Sequence, residues 1–208
     1  MIVYHINVRS CIYHNSGYNY IHEKEKVKNK AFGGLTMDFM ELAKERYSVR
    51  SYSGKPVEQE KIDLILKAAQ LAPTAVNFQP QRIYVLKSEE AMAKINRLCR
   101  CIYGAPMVFL ICSDERKTWK SQTERGYSSG EMDCSIVCTH MMLEAWEQGL
   151  GSVWVRLFDV NAVAKAFDLP PTIKPICLLP VGYAAEDSVP YAPWHDVYRP
   201  VESFCEEL

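Results

Sequence analysis

From residue 38 onward the apolar and polar positions change period several times, and each change marks an element. Glu58 to Leu71 carries Ile62, Ile65, Leu66 and Ala69 at helical spacing, the pattern of one buried helix face. Acidic residues sit in its first turn. Pro73 ends it, because proline disfavours helix at the residue before it. Ile83 to Leu86 and Met107 to Cys112 are short apolar runs that predict strands, with a helix from Glu89 to Cys99 between them. Glu131 to Gln148 is the longest helical stretch and is closed by Gly149. Asp38 to Tyr47 predicts a short helix, and Asn161 caps another that runs to Phe167 before Pro170 and Pro171. Val153 to Val155 and Ile176 to Val181 complete the strands. Ser53 to Pro56 is a turn, 117–130 a polar connection and 190–208 a tail. Strands and helices alternate along one sheet with no internal repeat.

Ile136, Val137, Cys138, Met141, Met142, Leu143, Ala145 and Trp146 surround the helix 131–148 almost completely. A helix that is apolar all round needs cover all round. A domain of this size barely encloses a central helix, so a second copy of the chain is expected as the cover.

Residues 1–36 look different. They hold Arg9, Lys24, Lys26, Lys28 and Lys30 against Glu23 and Glu25, and neither helical nor strand period persists through them. They are expected to be a disordered extension. Gly33-Gly34-Leu35-Thr36-Met37 can be encoded with a ribosome-binding sequence just before a start codon, so Met37 is the expected native start and 1–36 a translated leader. The folded domain is then 37–208.

Composition narrows the class. The chain has 208 residues, with 24 Lys+Arg against 25 Asp+Glu and 48% hydrophobic residues. Near-neutrality argues against nucleic-acid binding, which needs a basic face. No apolar run approaches the roughly 20 residues that cross a bilayer, and the N-terminus lacks the order of a signal peptide. A cytoplasmic protein with no membrane partner is expected. The eight cysteines show no C-x-x-C pair and read as free thiols rather than a disulfide scaffold; no metal site is expected from them.

The common phosphate-binding and hydrolase motifs are absent: no G-x-G-x-x-G, no G-x-x-x-x-G-K-[ST], no H-E-x-x-H and no G-x-S-x-G. Beyond residue 36 the only histidines are His140 and His195. A chain so poor in acid–base groups is either a binding module or an enzyme whose chemistry is carried by a cofactor.

Three strings favour the cofactor. In Arg46-Tyr47-Ser48-Val49-Arg50, an extended backbone points Arg46, Ser48 and Arg50 to one side. Two guanidinium forks flanking a hydroxyl suit a phosphate monoester, although a solvated turn with two surface arginines fits the same string. In Ala72-Pro73-Thr74-Ala75-Val76-Asn77-Phe78-Gln79-Pro80, two carboxamides follow a helix stop. They match a ring edge of alternating carbonyl and N–H groups such as the flavin pyrimidine, or else form a polar turn capped by Asn77. Gly149-Leu150-Gly151-Ser152-Val153-Trp154-Val155-Arg156 leaves the long helix and presents backbone amides at its end.

These strings in this order, with Leu178-Leu179-Pro180-Val181-Gly182-Tyr183 and a tail carrying Arg199-Pro200, resemble the nitroreductase family of FMN-dependent oxidoreductases. The resemblance runs from about Met37 to the C-terminus. It implies an α+β three-layer sandwich, with a central, mostly antiparallel sheet flanked by helices, in a domain-interlocked homodimer with two FMN sites at the subunit interface. By the same resemblance Arg46, Tyr47, Ser48 and Arg50 hold the phosphate and the near side of the ring, and Asn77 and Gln79 bond its polar edge beside Pro73 and Thr74. Trp154, Val155 and Arg156 lie along the flavin with a backbone N–H near N5. Arg199 completes the phosphate site, where the family's tail often carries two neighbouring basic residues and this one carries Val197 and Tyr198 beside it. The implied chemistry is ping-pong: NADH or NADPH delivers hydride to flavin N5 and leaves, and a small acceptor, such as a nitroaromatic or quinone, is then reduced. No protein side chain need be a catalytic acid. The alternatives are a specialised member, such as a reductive dehalogenase or flavin-cleaving enzyme using 117–130 as a lid, or a non-catalytic flavin-binding protein.

Overall fold

Two apolar runs that alternate their side chains into separate cores organise the chain. The computed structural model describes residues 38–208, so the expectations for 1–36 and for a start at Met37 lie outside the described residues. Strand β2 (Met107–Asp114) is buried at every position. Its Met107, Phe109 and Ile111 face α2 (Gln59–Leu71) and α4 (Gly130–Glu147), where Ile62, Ile65, Val137, Cys138 and Met141 meet them. Its Val108, Leu110 and Cys112 face α3 (Glu89–Leu98) and α5 (Val160–Ala166) through Ile95 and Val163. Period-two alternation with both faces covered makes three layers. Each fully buried aliphatic side chain contributes roughly 1.5–3 kcal/mol.

Among the described residues the sheet has four strands in the order β1-β2-β4-β3, with β1 at Gln81–Leu86, β3 at Gly151–Ser152 and β4 at Ile173–Gly182. Every pair is antiparallel, in agreement with the expected α+β class. A bulge between Ile111 and Cys112 shifts the β2–β4 register beside Pro175, a residue that cannot donate to the ladder.

Several element ends shift by up to three residues, and three differences have a local cause. The helix 160–166 is capped by Asp159, not Asn161: its carboxylate accepts the amides of Asn161 and Ala162 at 2.8 and 3.0 Å. The strand expected at 153–155 is formally Gly151–Ser152. Val155 continues the register by exchanging both backbone bonds with Leu178 at 2.9 Å. Val153 between them faces Pro180, which accepts one bond at 3.3 Å and has no N–H to return. The helix expected at 38–47 (α1, Phe39–Glu45) ends earlier, because Ser48 bridges to Ser152 along the sheet edge.

Helix α4 ends in a paired motif. Gly149, at φ 72°, donates to the Trp146 carbonyl and Leu150 to that of Ala145, both at 2.8 Å. The turn delivers Gly151 against Val49, where a Cβ would lie 2.5 Å from a Val49 methyl. The Val49 amide bonds the Ser152 carbonyl at 3.0 Å. Gly151→Ala is therefore expected to lower stability by about 1–3 kcal/mol, read as a lower denaturation midpoint.

Candidate functional site

The segment after α1 is extended and pinned by fully buried Val49. Arg46, Ser48 and Arg50, half-exposed, therefore turn to the opposite side at period two. Among the described residues neither arginine pairs with a carboxylate, so their charge is available to an anion. Arg50 donates to the Ser48 carbonyl at 3.1 Å, and its guanidinium lies over the Trp194 ring, 5.2 Å from the centroid. Tyr47 faces inward: its hydroxyl donates to the Ser188 carbonyl at 3.0 Å and its ring meets Trp146 edge-on at 5.2 Å. Burial pushes the nearby Tyr52 phenol up, with Arg50 opposing, and that hydroxyl donates to the Val49 carbonyl.

The carboxamide string forms a turn rather than a helix. Val76, Asn77 and Gln79 take φ of 46°, 57° and 49°, the left-handed region that costs non-glycine residues roughly 1–2 kcal/mol each. Side chains fix it: Gln79 N–H bonds Thr74 Oγ1 at 3.0 Å, and Gln79 Nε2 donates to Asn77 Oδ1 at 3.1 Å. The Asn77 amide and Gln79 carbonyl left over form one donor and one acceptor side by side. Pro73 is exposed, Thr74 half-buried, and Val76 and Phe78 flank the carboxamides in the open. The Ala75 amide is tied to Asp133 Oδ1 at 2.8 Å, which anchors the turn at the first residues of α4.

Trp154 and Arg156 are exposed on one side of their strand while Val153 and Val155 are buried on the other. The Val155 N–H is spent on Leu178, so an amide offered to a ligand from this stretch is that of Trp154 or Arg156. Arg199 is held locally. It donates to Ser203 Oγ at 3.1 Å and to the Ser203 carbonyl at 2.6 Å.

One chain does not bring all these groups together. Tyr47, next to Ser48, touches Trp146 at the end of α4, whereas Ala75 is bonded to Asp133 at its beginning. Thirteen residues of helix set these anchors roughly 20 Å apart at ~1.5 Å per residue.

The family model described as Nitroreductase family matches residues 43–103 and 96–183. The chain belongs to the nitroreductase family. A solved nitroreductase family protein from Clostridium difficile 630 is 38% identical and superposes with a TM-score of 0.77, covering 83% of this chain and 99% of that one. An FMN-dependent nitroreductase structure from C. difficile R20291 is 27% identical, with a TM-score of 0.60, over 72% of this chain and 90% of its own. The FMN reductase [NAD(P)H] of Bacillus subtilis is 28% identical over 68% of this chain and 64% of its own. This nitroreductase-family chain is accordingly an oxidoreductase, and none of its described helices is long and apolar enough to cross a membrane.

Sequence reasoning missed Asp133 and Trp194. Asp133 is an acidic residue in a first helical turn, where its dipole role hides a tie to a residue 58 positions away. Trp194 sits in a tail without periodicity. His140 is half-buried on α4, its Nδ1 3.0 Å from the Ile136 carbonyl.

Val76 is β-branched, 66% exposed and left-handed, a poor combination. Val76→Gly is expected to raise stability by up to about 1 kcal/mol, after the entropy that glycine adds to the unfolded chain, measured by denaturant titration.

Proposed function

We propose that the chain binds FMN between two copies of itself, takes reducing equivalents from NADH or NADPH and passes them to a small electron acceptor of the nitroaromatic or quinone type. The observation that carries this reading is the outward row of Arg46, Ser48 and Arg50, whose arginines have no carboxylate partner among the described residues. The donor sets fit the cofactor: two guanidinium groups and a hydroxyl suit its phosphate, and the Asn77–Gln79 pair suits the carbonyl and N–H alternation of its ring edge. Bound FMN supplies the hydride-transfer chemistry. The protein's part is to hold, orient and cover. Arg46 and Arg50 place positive charge that stabilises an anion, Trp194 lies against the Arg50 guanidinium, and the exposed Trp154 and Arg156 supply a wall. Arg199, whose guanidinium is bonded to Ser203, is the tail's candidate for the phosphate site.

Two observations support a homodimer in which the subunits interlock. The phosphate row and the carboxamide turn lie at opposite ends of α4, so a second copy is needed to set one against the other. The outer face of α4 also lines an apolar groove of about 510 Å³ with Phe39, Leu42, Leu64, Leu71, His140 and Leu143, of which Phe39, Leu64 and Leu71 are exposed in the single chain. Met142 packs against the chain's own core, which makes Leu143 the cleaner probe of that face.

The test is anaerobic mixing of the FMN-loaded protein with NADH or NADPH. Loss of flavin colour, restored by a nitroaromatic or quinone, is expected; protein that takes up no FMN sinks the reading. Arg50→Ala is expected to weaken FMN binding roughly tenfold to a hundredfold, the worth of a charge-assisted bond of ~1.5–3 kcal/mol, with melting at saturating FMN little changed. Leu143→Glu is expected to give a monomer by sedimentation, since an unpaired carboxylate in an apolar contact costs several kcal/mol, and to release FMN with it. A monomer that retains FMN at wild-type affinity would show that one chain completes the site.

A further inference from the structure

Asp133 is 2% exposed and, among the described residues, meets no cation. A buried carboxylate in that position survives on hydrogen bonds. Its Oδ1 accepts the Ala75 N–H at 2.8 Å and its Oδ2 accepts the Ser129 hydroxyl at 2.6 Å. The first bond reaches 58 residues back along the chain, into the turn that holds three left-handed non-glycine residues within four positions. Such backbone persists only where the surroundings over-determine it. The remaining bonds of the turn, from Asn77 and Phe78 to the carbonyls of Thr74 and Ala75 and from Gln79 to Thr74 Oγ1, are internal and set its shape but not its place. Beyond it, the Pro80 carbonyl accepts the Asp114 amide at 2.8 Å, which ties the following residue to the end of β2. Asp133 is thus the side chain that fixes where the start of the turn lies on α4.

We propose that Asp133 is a positioning residue for FMN: through the Ala75 amide it holds Asn77 and Gln79 where they meet the polar edge of the ring. Ser129 orients the carboxylate by occupying its second oxygen. Asp133 does not touch the cofactor. The inference rests on the reading of the Asn77–Gln79 turn as part of the FMN site, and the test separates the two.

FMN dissociation constants are measured by flavin fluorescence on the full chain for wild type, Asp133→Ala, Asn77→Ala and the double variant. Each single variant is expected to weaken binding about tenfold. The double variant is expected to bind within about threefold of the weaker single, because residues acting through one contact do not add. Asp133→Asn keeps an acceptor for the Ala75 amide and is expected to stay within about threefold of wild type. A purely structural role of Asp133 predicts losses that multiply in the double variant, and that result overturns the proposal. Wild-type affinity in Asp133→Ala beside a weakened Asn77→Ala overturns the positioning role alone. Wild-type affinity in Asn77→Ala overturns the placement of the turn in the FMN site, and the proposal with it. Should Asp133→Ala fail to fold, Ser129→Ala takes its place in the cycle, with a loss of about threefold expected for one supporting hydrogen bond; no loss overturns the proposal.

Discussion

The packing of Cys134, Val137, Cys138 and Met141 onto Phe109, Ile111, Cys177 and Leu179 fixes α4 against the two central strands, and most of the site depends on that contact. The helix is the longest among the described residues and its two ends carry different chemistry. At its start, Asp133 ties down the carboxamide turn. At its end, the Gly149–Leu150 motif turns the chain into Gly151 and Ser152, against which Val49 locks the arginine row. A shift of α4 along the sheet would therefore move both groups of residues at once.

The electrostatics of the helix favour one end and oppose the other. A carboxylate near the N-terminus sits in the favourable field of the helix dipole, which helps Asp133 remain buried without a cation. The proposed phosphate site lies toward the C-terminal end, where the same dipole repels an anion. Two arginines without carboxylate partners among the described residues are what such a position requires. Trp194 over Arg50 adds a face that interacts with the guanidinium without neutralising it. A carboxylate in that place would have stabilised the free protein and weakened its hold on an anion.

Much of this was legible in the sequence where a local rule decides the structure. The runs 107–112 and 176–181 became the two central strands because a strand buried on both faces must be continuously apolar. The spacing of Ile62, Ile65 and Ala69 gave α2 its buried face. Arg46, Ser48 and Arg50 share a side because Val49 between them is buried. What was hidden depends on contacts between distant residues. Nothing local links Ala75 to Asp133, and the missing N–H that thins the ladder opposite Val153 belongs to Pro180, 27 residues on. Asp159 displaced Asn161 as a cap because its carboxylate reaches two amides at once. The all-round apolarity of α4 was visible, yet in one chain only the sheet-facing side is fully covered. Ile136, Met142 and Leu143 are half-buried and Met132 is 57% exposed.

The same contact explains the cysteines. Cys112, Cys134, Cys138 and Cys177 are fully buried, three of them directly between α4 and the sheet. Burial holds the Cys112 thiol up at about 12 and raises those of Cys134 and Cys138 as well. The thiolate is the reactive form, and burial disfavours it. Cysteine behaves here as a small apolar residue. Cys134 Sγ donates to the Cys112 carbonyl at 3.4 Å, at the position where the β2–β4 register shifts and the ladder is irregular. A larger aliphatic side chain there would push α4 away from β2 and carry Asp133 with it, one residue along the helix. The thiols thus serve the site through packing: they let the helix approach the strands closely enough for its first turn to hold the carboxamide turn in place.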